Sequence, residues 1–223
     1  MKVFSSWSGG KDSCFACYRA MRHGFKVCYL ANMITEDGKR SWTHGQSSSL
    51  LELQSQAVGI PLLKQGATMS NYESKFKEML SHLKEEGVEG GVFGDIDLEE
   101  HRKWVERVCG EVGMKPYLPL WGESQGKIMR EFIASGFEAV VVVAKASLFG
   151  EEVLGRKVDL DFVNYLERLN QEKGVTLCGE VGEYHTFVID GPIFSRRVEI
   201  VESRKTLRDG VWILEIVKAE LKR

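Results

Sequence analysis

The chain has 223 residues, a formal net charge of −2 and an isoelectric point near 6.3; 43% of its residues are hydrophobic and 28% charged. This excludes a disordered chain and suits one large domain, or one domain plus a smaller one. No block of like charge marks a nucleic-acid or membrane surface, and the longest apolar stretch, Ala139 to Ala144, is far too short to cross a bilayer.

The N-terminus, MKVFSSWSGG, has no long apolar run of the signal-peptide kind, and the five irregularly spaced cysteines do not form a disulfide pattern. The expected compartment is a reducing cytoplasm. Val3-Phe4 reads as a first strand and runs into Ser8-Gly9-Gly10-Lys11-Asp12-Ser13, after which a helical pattern begins. Strand, glycine-rich loop and helix is the order that presents backbone N–H groups, a helix dipole and a lysine charge to phosphate oxygens. The loop is not that of the common ATPases, because Ser5 stands where the first glycine is needed and Asp12 follows the lysine. Nor is there a third glycine at dinucleotide-binding spacing. The plain alternative is a glycine-rich turn with an Asp helix cap. Cys14 and Cys17, inside this first helix, have redox or zinc spacing but no second pair, and are expected as core thiols.

Val27 to Met33 is the second expected strand. His44 follows on a loop, and a helix from Leu50 to Val58 stops at Gly59, with Pro61 barring its continuation. Pro61 to Lys64 reads as the third strand. Ser70-Asn71-Tyr72-Glu73 has the form of a capping box, opening a helix with Tyr72, Phe76, Met79, Leu80 and Leu83 on one face and Gly87 at its end. The strand Gly91 to Phe93 leads to Gly94-Asp95, and Asp97 to Glu100 repeats the capping device before a helix burying Leu98, Val105, Val108, Cys109 and Val112. Tyr117-Leu118 is the fifth strand. This alternation predicts a doubly wound, mostly parallel α/β sheet with right-handed crossovers.

Near Leu120 to Gly126 the style changes, giving an expected division into residues 1–122 and a smaller α+β region, 123–223. The run Val140 to Val143 ends at Lys145, read either as a phosphate contact or as the strand's exit. A helix spans roughly Asp161 to Lys173, and strands Val198 to Glu202 and Val211 to Val217 are joined through Asp209-Gly210, a hairpin signal. Between them lies Cys178-Gly179-Glu180-Val181-Gly182-Glu183-Tyr184-His185-Thr186-Phe187. Two glycines three apart argue against a helix, so Glu180, Glu183 and His185 are expected on a shaped loop leading into a strand. Solvated carboxylates on a surface turn are the alternative.

The opening loop resembles the SGG-x-DS pyrophosphate-binding motif of the ATP pyrophosphatases, which transfer AMP to an oxygen and release pyrophosphate. Taken with GEVGEYHTF, Val92-Phe93-Gly94-Asp95-Ile96 and Leu120-Trp121, the chain resembles the diphthine–ammonia ligase family in its compact archaeal-type form, over almost its whole length. The resemblance implies an ATP- and Mg²⁺-dependent ligase. It would adenylate the carboxylate of diphthine on translation elongation factor 2, and ammonia from ammonium would then displace AMP. It assigns Ser8, Gly9, Gly10, Lys11, Asp12 and Ser13 to the pyrophosphate, with Asp12 orienting the loop or touching Mg²⁺. Asn32, Met33, Gly94 and Asp95 go to the adenosine, Asp95 as a ribose or metal contact or alternatively a helix cap. His44 is a ligand contact or a plain loop residue. Lys11, Glu180, Glu183 and His185 are the expected catalytic residues. Tyr184 and Trp121 join the glutamates as candidates for facing two cations, ammonium and the trimethylammonium of diphthine, with one carboxylate accepting the proton that ammonium loses. No membrane or nucleic-acid partner is expected, and the oligomeric state stays open. The rival readings are a tRNA-modifying adenylase and an ATP-binding sensor without chemistry.

Overall fold

A computed structural model describes residues 1–41 and 47–222. By packing, the chain divides into one unit of Met1–Ser8 with Asp12–Trp121 and a second of Gly9–Lys11 with Gly122–Arg223.

The first unit is a five-stranded parallel sheet of β1 (Lys2–Ser6), β2 (Lys26–Thr35), β3 (Leu62–Ala67), β4 (Gly90–Val92) and β5 (Lys115–Tyr117). The connecting helices are α1 (Lys11–Arg22), α2 (Ser48–Val58), α3 (Tyr72–Glu85) and α4 (Glu99–Val112). The strand order is β3-β2-β1-β4-β5. The chain therefore steps outward from β1 to β3, then returns to the other side of β1 for β4 and β5. That reversal opens a crevice at the carboxyl ends of β1 and β4, the usual ligand position in such sheets. The doubly wound parallel expectation holds.

Burial explains the helix faces. Phe4 of β1 lies edge-on to Phe93 at 5.7 Å, and α3 adds Phe76, Met79, Leu80 and Leu83 to the same core. From α4 come Val105, Val108 and Cys109. Each fully buried side chain of this size contributes about 1.5–3 kcal/mol, so the apolar stripe holds these helices more firmly than any cap does. Gly59 ends α2 in the left-handed conformation (φ 76°), as its position predicts.

Neither expected capping box forms. Asn71 is the N-cap of α3, but its Oδ1 accepts from Thr68 N–H at 2.7 Å. Glu73 turns away to Arg107, Lys77 and Trp104 Nε1, and these partners hold its carboxyl well below the usual range, Arg107 first. The N-cap of α4 is Leu98, which has no side-chain oxygen to offer.

The second unit carries an antiparallel sheet of order β7-β6-β9-β8, made of β6 (Glu138–Lys145), β7 (Tyr184–Asp190), β8 (Arg197–Arg208) and β9 (Val211–Lys222). Helices α5 (Gln125–Ala134) and α6 (Leu160–Lys173) accompany it. The Asp209-Gly210 hairpin is present, with φ of 49° and 76° at its two turn residues, the signature of a type I′ turn. Its strands are longer than the pattern indicated, because their outer halves are exposed and charged. Helix α5 has no counterpart among the elements expected from the sequence: Ser124 caps it by accepting from Lys127 N–H, and Ile128, Met129 and Phe132 are buried at helical spacing.

All five cysteines are free thiols. Burial pushes the Cys17 thiol up to about 12 and raises Cys14 well above its ordinary value, so this pair belongs to the core. Among the described residues no group of three or more His, Cys, Asp and Glu is placed to hold a metal ion, and no helix is long and apolar enough to cross a membrane.

Candidate functional site

In the first unit the site begins where β1 ends. Ser13 Oγ accepts from the N–H of Ser8 at 3.3 Å and from its hydroxyl at 3.1 Å, tying the loop across its mouth. Gly9 has φ 78°, a conformation in which a side chain would be strained. At the end of β4, Gly94 lies directly against this loop, and a β-carbon there would stand 2.9 Å from the Asp12 carbonyl carbon.

Beside the loop, a small cavity of about 50 Å³ is lined by Ser6, Trp7, Ser8, Asn32, Met33 and Tyr72, among others. Asn32 is 5% exposed, and its Nδ2 donates to Trp7 O at 2.6 Å and to Ser41 Oγ at 3.1 Å. Because Trp7 O can only accept, the amide orientation is fixed and Oδ1 becomes the free acceptor. That oxygen is buried with no hydrogen-bond partner among the described residues, an arrangement that costs about 1–3 kcal/mol until a donor fills it. Asp95 lies 3.3 Å from His101 Nδ1. Burial, and then the Asp95 charge, raise the Tyr72 hydroxyl above its ordinary pKa, placing Tyr72 within electrostatic reach of Asp95. Sequence reasoning put Tyr72 on a buried helix face and missed its place in the cavity wall. The missed signal is its position in the first turn after β3, at the carboxyl edge of the sheet. Trp121 already carries the Arg102 guanidinium over its ring at 5.0 Å. His44 lies outside the described residues.

In the second unit, residues 174–183 form a loop ahead of β7 whose backbone is bonded almost throughout. The Glu183 carboxylate, 2% exposed, accepts from Thr176 N–H at 2.8 Å and from Val181 N–H at 3.1 Å. Glu180 N–H donates to Thr176 Oγ1 at 3.0 Å, and Cys178 N–H to Gln125 Oε1 at 2.7 Å. Tyr184 OH donates to Leu177 O. On the other side Lys145 Nζ donates to Val181 O at 2.9 Å, and Lys145 N–H to Glu183 O at 2.9 Å. These bonds tie the loop to α5 and β6, and Glu180 is carried half-buried on its frame.

Lys11 belongs to this unit. It is 4% exposed; its N–H donates to Thr186 Oγ1 at 3.0 Å, and Nζ donates to Cys178 O and lies 5.2 Å from the Tyr184 ring centroid. His185, next to Thr186, is held at a pKa of about 4, chiefly by burial and then by Lys11 and Lys145, with Glu183 acting in the opposite direction. Its imidazole is therefore neutral at physiological pH.

The phosphate-type loop and the ends of β2 and β4 thus gather Ser8, Asp12, Ser13, Asn32, Met33, Gly94 and Asp95. Lys11, Glu180, Glu183 and His185 gather at the later loop. A family model described as the diphthamide synthase N-terminal domain matches residues 1–116, and one described as the diphthamide synthase C-terminal domain matches residues 124–221. Vertebrate proteins named diphthine–ammonia ligase are similar along most of their length. That of Rattus norvegicus is 31% identical over 94% of this chain and 86% of its own. That of Homo sapiens is 31% identical over 93% and 85%, and that of Danio rerio 30% over 93% and 89%. The solved structure of a predicted subunit of tRNA methyltransferase from Methanocaldococcus jannaschii aligns over 86% of this chain and 98% of its own, at 15% identity and a TM-score of 0.48. A likeness that loose carries no argument about function.

Proposed function

The chain belongs to the diphthamide synthase family, and on that premise we propose that it amidates diphthine with ATP and ammonia. The protein substrate in this reading is elongation factor 2. A carboxylate oxygen of diphthine bonds to the α-phosphorus of ATP as the bond to pyrophosphate breaks. Ammonia then bonds to the acyl carbon, AMP leaves with the oxygen, and the nitrogen loses a proton. A carboxylate oxygen is a poor leaving group and AMP a good one, which is why the adenylation comes first.

The observation that carries this reading is the reach of Lys11. The charged residue of the phosphate-type loop ends on Cys178 O, in the glutamate-bearing loop. We assign Ser8, Gly9, Gly10, Lys11 and Ser13 to the departing pyrophosphate, where preorganised donors count most. The buried Oδ1 of Asn32 suits the 6-amino group of adenine, with Met33 beside it, and Asp95 suits the ribose. Mg²⁺ is an ion held mostly by phosphates and waters with one or two carboxylates. Asp12 is the carboxylate that would hold it, and the ion would supply positive charge to the leaving group. Glu183 serves as a positioning residue, because its carboxylate is already bonded to the loop's backbone. Glu180, half-buried on the same loop, is assigned to the cationic partners.

The test is product analysis. Purified protein with ATP, diphthine-bearing elongation factor and ammonium should yield AMP and pyrophosphate in step with amide. Steady ADP formation without the factor would overturn the reading.

A further inference from the structure

Lys11 stores its charge in an unusual place. Its ammonium sits on the carbonyl oxygen of Cys178 and over the face of Tyr184, away from solvent. A carbonyl and an aromatic face are neutral groups that stabilise a desolvated cation. The walls of this niche are fixed without the lysine. Gln125 Oε1 holds Cys178 N–H at 2.7 Å, and Tyr184 packs edge-on to Phe162 at 5.5 Å and to Phe149 at 6.1 Å. The lysine's backbone is tethered separately through Thr186 Oγ1 at 3.0 Å. Its flexible side chain can therefore leave without unseating the loop.

We propose that this niche is the binding site for the substrate ammonium ion, and that Lys11 occupies it until a nucleotide arrives. The inference rests on the ligase reading and extends it. The ammonium group of lysine is chemically a mono-alkylated ammonium ion, so a niche that fits one fits the other. When the triphosphate of ATP binds the loop that contains Lys11, it attracts Nζ, and Cys178 O and the Tyr184 ring are vacated. Ammonium then replaces the lost N–H donor on the carbonyl. A quaternary ammonium has no N–H to give that carbonyl, so the trimethylammonium of diphthine does not compete here. Two cations cannot share so small a space, which sets an order: nucleotide first, ammonium second. Lys145 stays on Val181 O and keeps the loop in shape meanwhile.

The intact protein tests this by thermal unfolding, in ammonium, sodium or tetramethylammonium chloride at equal ionic strength, with and without an α,β-methylene ATP analogue and Mg²⁺. Ammonium alone should stabilise the nucleotide-loaded protein, by about 3 °C at ten times its dissociation constant. The nucleotide-free protein should not distinguish ammonium from sodium. Lys11→Ala should respond to ammonium even without nucleotide, and Tyr184→Leu should lose the response that Tyr184→Phe retains. Equal responses of loaded and free wild-type protein would overturn the proposal, and that comparison stands even if a variant fails to fold. The ligase reading fails separately. Ammonium-specific stabilisation without AMP formation keeps the site and removes the ligase, whereas amidation without such stabilisation removes the site alone.

Discussion

Gly94 lies against the backbone of Asp12, where an added β-carbon would stand 2.9 Å from the Asp12 carbonyl carbon and 3.0 Å from the Ser13 amide nitrogen. The obstruction is backbone, which has no rotamer to yield. Gly94→Ala should therefore push the phosphate-type loop aside, lower stability by about 1–3 kcal/mol and weaken ATP binding roughly tenfold or more. Urea unfolding and nucleotide titration read the two effects. Unchanged ATP affinity would detach Gly94 from nucleotide binding.

Asn32 offers a buried acceptor that suits a 6-amino purine. The intact protein should prefer ATP to ITP, whose 6-oxo group would set acceptor against acceptor. Asn32→Ala should shrink that preference by about fivefold or more, the worth of one hydrogen bond. Comparing kcat/KM for the two nucleotides in both proteins decides it. A ratio that survives the substitution would remove Asn32 from base recognition.

The two glutamates of the later loop should behave differently. In Glu183→Gln an amide –NH₂ must face one of the backbone N–H groups of Thr176 and Val181, so about 2–3 kcal/mol of stability should be lost. Glu180→Gln should leave stability within about 0.5 kcal/mol but slow amide formation by about thirtyfold. Denaturation curves set beside amidation rates separate these roles. A reversed pattern would exchange them.

His185 makes stability depend on pH. Its folded pKa, about 4, lies below the ordinary 6.5, so the unfolded chain binds a proton that the folded one refuses. The stabilisation is complete above about pH 6.5 and disappears as pH falls toward 4, by at most ~3 kcal/mol. Lys11, Lys145 and Glu183 are the charges that face the ring. His185→Asn should flatten unfolding free energy measured between pH 7 and 4. Parallel curves for the two proteins would show that the imidazole is not held neutral.

Most of the parallel sheet was legible because Val3-Phe4, Val27 to Met33 and the glycine stops are local signals that tertiary packing does not contradict. The capping boxes were not, since Asn71 and Glu73 found better partners in Thr68 and in Arg107 across the fold. Gly126, in the first turn of α5, diluted a helical pattern that Ile128, Met129 and Phe132 otherwise state. The phosphate-type loop announces itself in consecutive residues. The partnership of Lys11 with Thr186 spans 175 positions, and no local pattern encodes such a contact. Tyr72 was hidden for the same reason, since a cavity wall assembled from β1, β2 and α3 has no sequence period.

Residues Gly9–Lys11 pack with Gly122–Arg223, although the chain on either side of them belongs to the other unit. Val188 N–H donates to Gly9 O at 2.9 Å, and Thr186 Oγ1 accepts from Lys11 N–H at 3.0 Å. A genetic cut after residue 121 therefore does not release a self-sufficient second half. A fragment of residues 122–223 would lack the acceptor for Val188 N–H and the donor for Thr186 Oγ1, both left open in its interior. The two fragments should behave as a complementation pair, the second soluble and ordered only when the first is co-expressed and lends it those residues in trans.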